Sequence, residues 1–165
     1  MDPMDHNRVE RLLTDLKQPD SAIRDRASAE LWHLWFHQKG VYGAQQLMQA
    51  ESLLHARKIT EAEFILSEII QAQPDFAEAW NRRAVLRYTQ GEHWQAIADC
   101  QAVIRLIPYH FGALHGLGLC HCAVGNHVAA IQSFRQALAV QPYALANQRM
   151  ILECTAKLEN PLDEL

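Results

Sequence analysis

The chain has no apolar run near the roughly 18 residues a membrane-spanning helix needs, and no stretch where lysine and arginine gather. The first absence argues against a transmembrane protein. The second, with a formal charge of −4 over 165 residues, removes the electrostatic footprint of a nucleic-acid binder. Cysteine is scarce: Cys100, Cys120, Cys122 and Cys154 are too few and too irregularly spaced for a disulfide framework. The opening MDPMDHNRVER lacks the basic-then-apolar layout of a secretion signal. These features point to a cytoplasmic protein with reduced thiols, its cysteines serving as small buried residues. Also missing are a strand pattern, a glycine-rich phosphate loop, paired carboxylates and a Ser/His/Asp constellation. No catalytic residue and no cofactor is expected, so the function sought is non-enzymatic.

What is present is an ordinary soluble balance, 49% apolar and 21% charged, suited to one compact domain or a short solenoid. Three columns then repeat at one step. Pro74, Pro108 and Pro142 are 34 residues apart, as are Ala62, Ala96 and Ala130, and the small residues Ala50, Ala84 and Gly118. Segments such as Gln45 to Ala56 and Ala62 to Gln71 have the apolar spacing of helices, and Gly91 and Gly125 sit where a left-handed turn joins two of them. Each block therefore predicts two antiparallel helices. The small columns mark close helix crossings, and the prolines stop each second helix.

Leu117, Gly118, Ala130, Phe134 and Pro142 in the third block, with Trp80, Ala84, Ala96 and Pro108 in the second, carry a likeness. The pattern resembles the tetratricopeptide repeat. The first block follows more loosely through Ala50, Ala62, Leu66 and Pro74. The resemblance implies an all-α fold, a right-handed α-α superhelical solenoid with three repeats at residues 43–76, 77–110 and 111–144. Residues 1–42 are expected to form an N-terminal helical hairpin cap, weakly similar to a HEAT-type unit, with one helix around Val9 to Leu16 and a second to about His37. Ile23, Ala27, Leu31 and Leu34 line the stripe of the second helix, while Trp32, Trp35 and Phe36 are large enough to cover the first open apolar face. Residues 145–165 read as a capping helix and tail, with Leu145, Ile151, Leu152 and Leu158 on the buried side.

The same resemblance implies a concave face built from the first helix of each repeat. Its expected wall is Leu47, Glu51 and Leu54, then Asn81, Val85 and Tyr88, then His115, Leu119 and Cys122, with Arg82 at the edge. One subclass of the family grips acidic C-termini of heat-shock chaperones with lysine, asparagine and arginine. The matching positions here hold Leu47, Glu51, Gly112 and Gly116, so that clamp is missing and an apolar or amphipathic peptide or helix of another protein fits better. The expected role is an adaptor, chaperone-like or assembly factor. Alternatives are a homo-oligomer, such as a homodimer, that pairs through its caps or grooves by way of Trp32 or Trp35, and a His/Cys metal-binding protein.

Two groups remain open. Arg83 and Arg87 stand where the family prefers apolar residues; either they form an internal ion-pair network with Asp99 and Glu68, or one or more of Arg82, Arg83 and Arg87 grips a partner's carboxylate. Arg83→Leu is expected to leave stability unchanged or higher. Among nine histidines, His110, His115, His121 and His127 cluster with Cys120 and Cys122. Cys120 and Cys122 lie about 200° apart around a helix, and His115 with Cys122 supplies only two ligands on one face, so no metal site is expected.

Overall fold

The computed structural model describes residues 6–160. Among them are nine helices: α1 His6–Asp15, α2 Ser21–Phe36, α3 Gly40–His55, α4 Ile59–Ala72, α5 Ala77–Thr89, α6 His93–Leu106, α7 Phe111–Ala123, α8 His127–Val140 and α9 Leu145–Glu159. The pairs α3/α4, α5/α6 and α7/α8 repeat the 34-residue step, and α9 packs on α8 as the first helix of a further pair would. The fold is an all-α solenoid. No helix among the described residues is long and apolar enough to cross a membrane.

Local chemistry explains where the helices end. The residue before each proline is pushed out of the helical region, and Gln73, Ile107 and Gln141 have φ of −138°, −135° and −123°. Within each pair the turn needs a left-handed residue. Gly91 (φ 79°) and Gly125 (φ 75°) supply it, and in the first pair the equivalent position is Arg57 at φ 58°. One tight crossing is between α7 and α8: a Cβ on Gly118 would lie 2.5 Å from the ring of Phe134, which is fully buried. A larger residue there has no room, at a cost of about 1–3 kcal/mol.

The N-terminal hairpin takes a different place from the expected one. Val9, Leu12 and Leu16 bury against the stripe Ala27, Leu31 and Leu34, and Asp20 caps α2 by accepting from Ala22 N at 2.8 Å. The pair then runs along the edge formed by the three proline turns. Just past α2, Gln38 donates to Asp75 O (3.0 Å) and accepts from Ala77 N (3.2 Å) at the first turn. Midway, Trp35 stacks on His110 (centroids 4.0 Å apart, 22° between planes), with Trp32 edge-on to both His110 and Phe111. Near its start, Arg24 lies 4.1 Å from the centre of the Tyr143 ring at the third turn. The hairpin thus straps all three junctions rather than covering the end of the array. Val41, Tyr42 and Met48 on the outer side of α3 stay exposed. Trp35 is fully buried, so it offers nothing for copies to pair through.

The C-terminal helix also turns a different side inward. Leu145 and Leu152 are 69% and 71% exposed and Leu158 is exposed as well, whereas Asn147 and Cys154 are buried and Met150 and Ile151 partly so. The sequence offers two stripes on this helix. Packing against α7 and α8 selects the narrower, more polar one, because Asn147 there meets His115 and Cys154 meets Cys122.

Candidate functional site

Helices α3, α5 and α7 line up side by side and leave a groove with two connected hollows. The larger, about 450 Å³, lies between α3 and α5 and is lined by Glu51, Leu54, His55, Glu78, Asn81, Arg82 and Val85, with Trp32 of α2 at its rim. The smaller, about 170 Å³, lies between α5 and α7; Tyr88, His115 and Leu119 form walls, while Cys100 and Cys120 line it beside Gly112 and Gly116. Asn81 and Val85 belong to both hollows. Val85, 58% exposed, stands at their junction.

Glycine has a physical role in the smaller hollow. A Cβ at Gly112 would lie 2.5 Å from the Trp32 ring, so the strap's tryptophan rests directly on the first turn of α7. The two thiols there share a hydrogen bond, which lowers Cys120 and raises Cys100. A hydrogen bond with Cys120, and burial after it, pushes Cys100 up, so Cys100 is held as an uncharged thiol at neutral pH.

A polar system ties the larger hollow together. Glu78, 1% exposed, accepts from Arg82 Nε at 2.8 Å and from Asn81 Nδ2 at 3.2 Å. Arg82 also bonds Glu51, spanning α5 to α3. Burial works against the Arg82 charge, but the carboxylates of Glu78 and Glu51 outweigh it and hold its pKa above the ordinary arginine value. His110 completes the group. Its Nδ1 accepts from Ala113 N at 3.1 Å, which leaves Nε2 to carry the hydrogen and donate to Glu78 at 3.3 Å. The imidazole is thereby fixed in one tautomer between Trp35 and the groove.

The other arginines sit on the far side of α5. Arg83 donates from Nε and Nη2 to both oxygens of Asp99 (2.9 and 2.8 Å) and from Nη1 to Ser67 Oγ at 3.0 Å. Arg87 donates to the same Asp99 at 3.0 Å and to Glu63 at 2.9 Å. These bonds join α4, α5 and α6, and neither guanidinium faces the groove. Glu68, expected as a partner, is exposed; Glu63, one turn and a residue earlier on α4, faces Arg87 in its place.

Of the expected wall, Glu51, Leu54, Asn81, Arg82, Val85, Tyr88, His115 and Leu119 lie on the two hollows. Leu47 does not. It is fully buried among Ala50, Leu66 and Phe76, because it points between α3 and α4 rather than out of the first repeat. Cys122 turns away too: its Sγ lies 2.7 Å from Cys154 Sγ on α9, and burial, then that contact, pushes its thiol up to about 12. Trp32, Glu78 and His110 were not among the expected site residues. A signal for the last existed, since His110 stands 34 positions after Phe76, each closing a proline turn.

A model described as tetratricopeptide repeat matches residues 47–111. Over 152 residues the chain is 28% identical to a tetratricopeptide repeat-containing protein of Rhizobium etli, covering 92% of this chain and 74% of that one. A stretch of 67 residues is 34% identical to Homo sapiens Superkiller complex protein 3, 41% of this chain and 4% of that protein. Among solved structures, the first such domain of Spaghetti (RPAP3), bound to the HSP90 peptide SRMEEVD, aligns at TM-score 0.68 and 15% identity over 71% of this chain and 93% of that one. MamA aligns at TM-score 0.67 and 18% identity over 86% of each chain. At such identities the structural matches speak to fold alone. Repeat step, paired helices and matched model agree over residues 47–111, which are of the tetratricopeptide-repeat kind.

Proposed function

We propose that the chain is a non-enzymatic, cytoplasmic protein-interaction module of the adaptor or assembly-factor kind, holding an apolar or amphipathic segment of another protein in the groove. The observation that carries this reading is the uncovered junction at Val85, flanked by Leu54 on one side and Tyr88 and Leu119 on the other. An apolar side chain standing clear in the middle of a concave surface loses water contact when a partner's apolar residue lies on it, at about 25 cal/mol per Å² buried. Two hollows on either side of that ridge suit two anchors of one peptide. Helices α2 and α9 pack at the edge and the end of the array, so neither lies across the ridge.

Selection from a peptide display library against the purified chain tests the idea. Enriched sequences should carry apolar anchors and bind with micromolar Kd, about −8 kcal/mol. Val85→Glu combined with Leu119→Glu, at matched helicity by circular dichroism, should weaken binding at least about tenfold, since each places a charge where the anchor sits. Equal affinity in that variant, or selection of purely charged peptides, would sink the proposal.

A further inference from the structure

Three groups with metal-binding chemistry meet where the last full repeat joins α9. Cys122 lies in the final turn of α7, His127 opens α8, and Cys154 lies on α9; their ligand atoms are within 4.8 Å of one another. Cys154 and His127 are buried, and Cys122 is half-buried. Each ligand comes from a different helix, so the convergence is a product of the packing and not of local sequence.

We propose that Cys122, His127 and Cys154 bind one zinc ion, which pins α9 to the junction of α7 and α8. Two thiolates and an imidazole form a soft to borderline donor set, suited to zinc and unsuited to magnesium or calcium, whose ligands are oxygen. With zinc–sulfur bonds of about 2.3 Å and tetrahedral angles, the two sulfurs stand about 3.8 Å apart. They stand 2.7 Å apart, so a side-chain rotation of Cys122, the more exposed of the pair, has to open the gap by about 1 Å. Three protein ligands leave a fourth position for water on the side where Cys122 meets solvent. Binding releases the thiol protons, so affinity should rise with pH.

The inference is independent of the groove reading, because none of the three side chains is needed there. The test uses the full chain, reduced, stripped with a chelator and then titrated with Zn2+ against a chromophoric competitor, with Co2+ as a spectroscopic substitute. Expected are one zinc per chain, a sulfur-to-cobalt charge-transfer band, and a zinc-dependent rise in Tm. Cys122→Ser should abolish the band and lower affinity by more than the roughly 10–100-fold that loss of a mere supporting group costs. Cys154→Ala should do the same, and His127→Gln should weaken binding with the sulfur band retained. His33→Gln is the control, since exposed His33 and half-buried His37 form a ring pair with centroids 4.1 Å apart, a competing imidazole site for zinc. Cys122→Ser sits at a half-buried position, so its helicity should match wild type and keep the comparison valid. The proposal is overturned if the reduced chain takes up no zinc, if cobalt binds without a sulfur band, or if Cys122→Ser binds as wild type does.

Discussion

Asp99 accepts three guanidinium N–H groups at 1% exposure, and this fixes how the middle repeat responds to substitution. An apolar residue in place of Arg83 was expected to be neutral or stabilising, as when a whole buried ion pair is replaced. The geometry reverses that expectation. Arg83→Leu removes only one partner and leaves a buried carboxylate with a single bond from Arg87, the case in which loss costs about 3 kcal/mol. Tm should fall by roughly 6–12 °C for a chain of this size. Arg83→Leu with Asp99→Leu should regain part of the loss, because the stranded charge goes too. A single variant as stable as wild type in a thermal melt would show that solvent reaches Asp99 after all. The identity of Arg83 and its partner Asp99 was legible, since an arginine at an apolar position needs a carboxylate. Glu63 over Glu68 was not: both are glutamates on one helix, and only the rotation of α4 against α5 chooses between them.

At the scale of elements, the strap made by α1 and α2 depends on an aromatic cluster over the second proline turn. Tyr109 lies against Trp35, ring centroids 6.5 Å apart, and burial pushes its hydroxyl above the ordinary value of 10.0. A raised folded-state pKa means that the stability linked to Tyr109 is fully present below about pH 10 and is lost as pH rises through the folded value. Melting curves between about pH 9 and 11 should therefore fall more steeply for wild type than for Tyr109→Phe, which has no proton to lose. Parallel curves would mean that the hydroxyl is solvated. The strap's position was not readable beforehand. Its two helices and their stripe were, because spacing encodes which side is apolar; which surface that side meets depends on the turns of residues far along the chain. The inward side of α9 was misjudged for a related reason, since hydrophobicity alone favoured Leu145 and Leu152 over Asn147 and Cys154.

Across the whole molecule, the array sets the character of the groove. Spaghetti's first repeat domain is seen with the acidic peptide SRMEEVD, yet this chain places Glu51 and Glu78 along its larger hollow and commits Arg82 to both. Among the described residues that line it, an acidic C-terminus finds no unpaired guanidinium or ammonium group and meets two carboxylates. SRMEEVD should bind no tighter than about 1 mM by calorimetry at moderate salt; micromolar affinity would mean that Arg82 leaves its partners on binding and that the groove reads charge. The array also explains recurrent pairings. Glu78–His110, His115–Asn147 and Cys122–Cys154 are each separated by 32 residues, two short of the repeat, because successive first helices touch with a small offset.

The sequence by itself determined the repeat step, the helix ends and the class of fold. Proline, glycine and small residues act through local sterics and close helix crossings, and a 34-residue period propagates one helix pair along the array. Tertiary structure alone decided that the N-terminal hairpin runs along the proline turns, that Leu47 is buried, and that Cys122, His127 and Cys154 meet. Each of those outcomes depends on the rotation and offset between helices, a sum of many weak packing contacts that no short stretch of sequence contains.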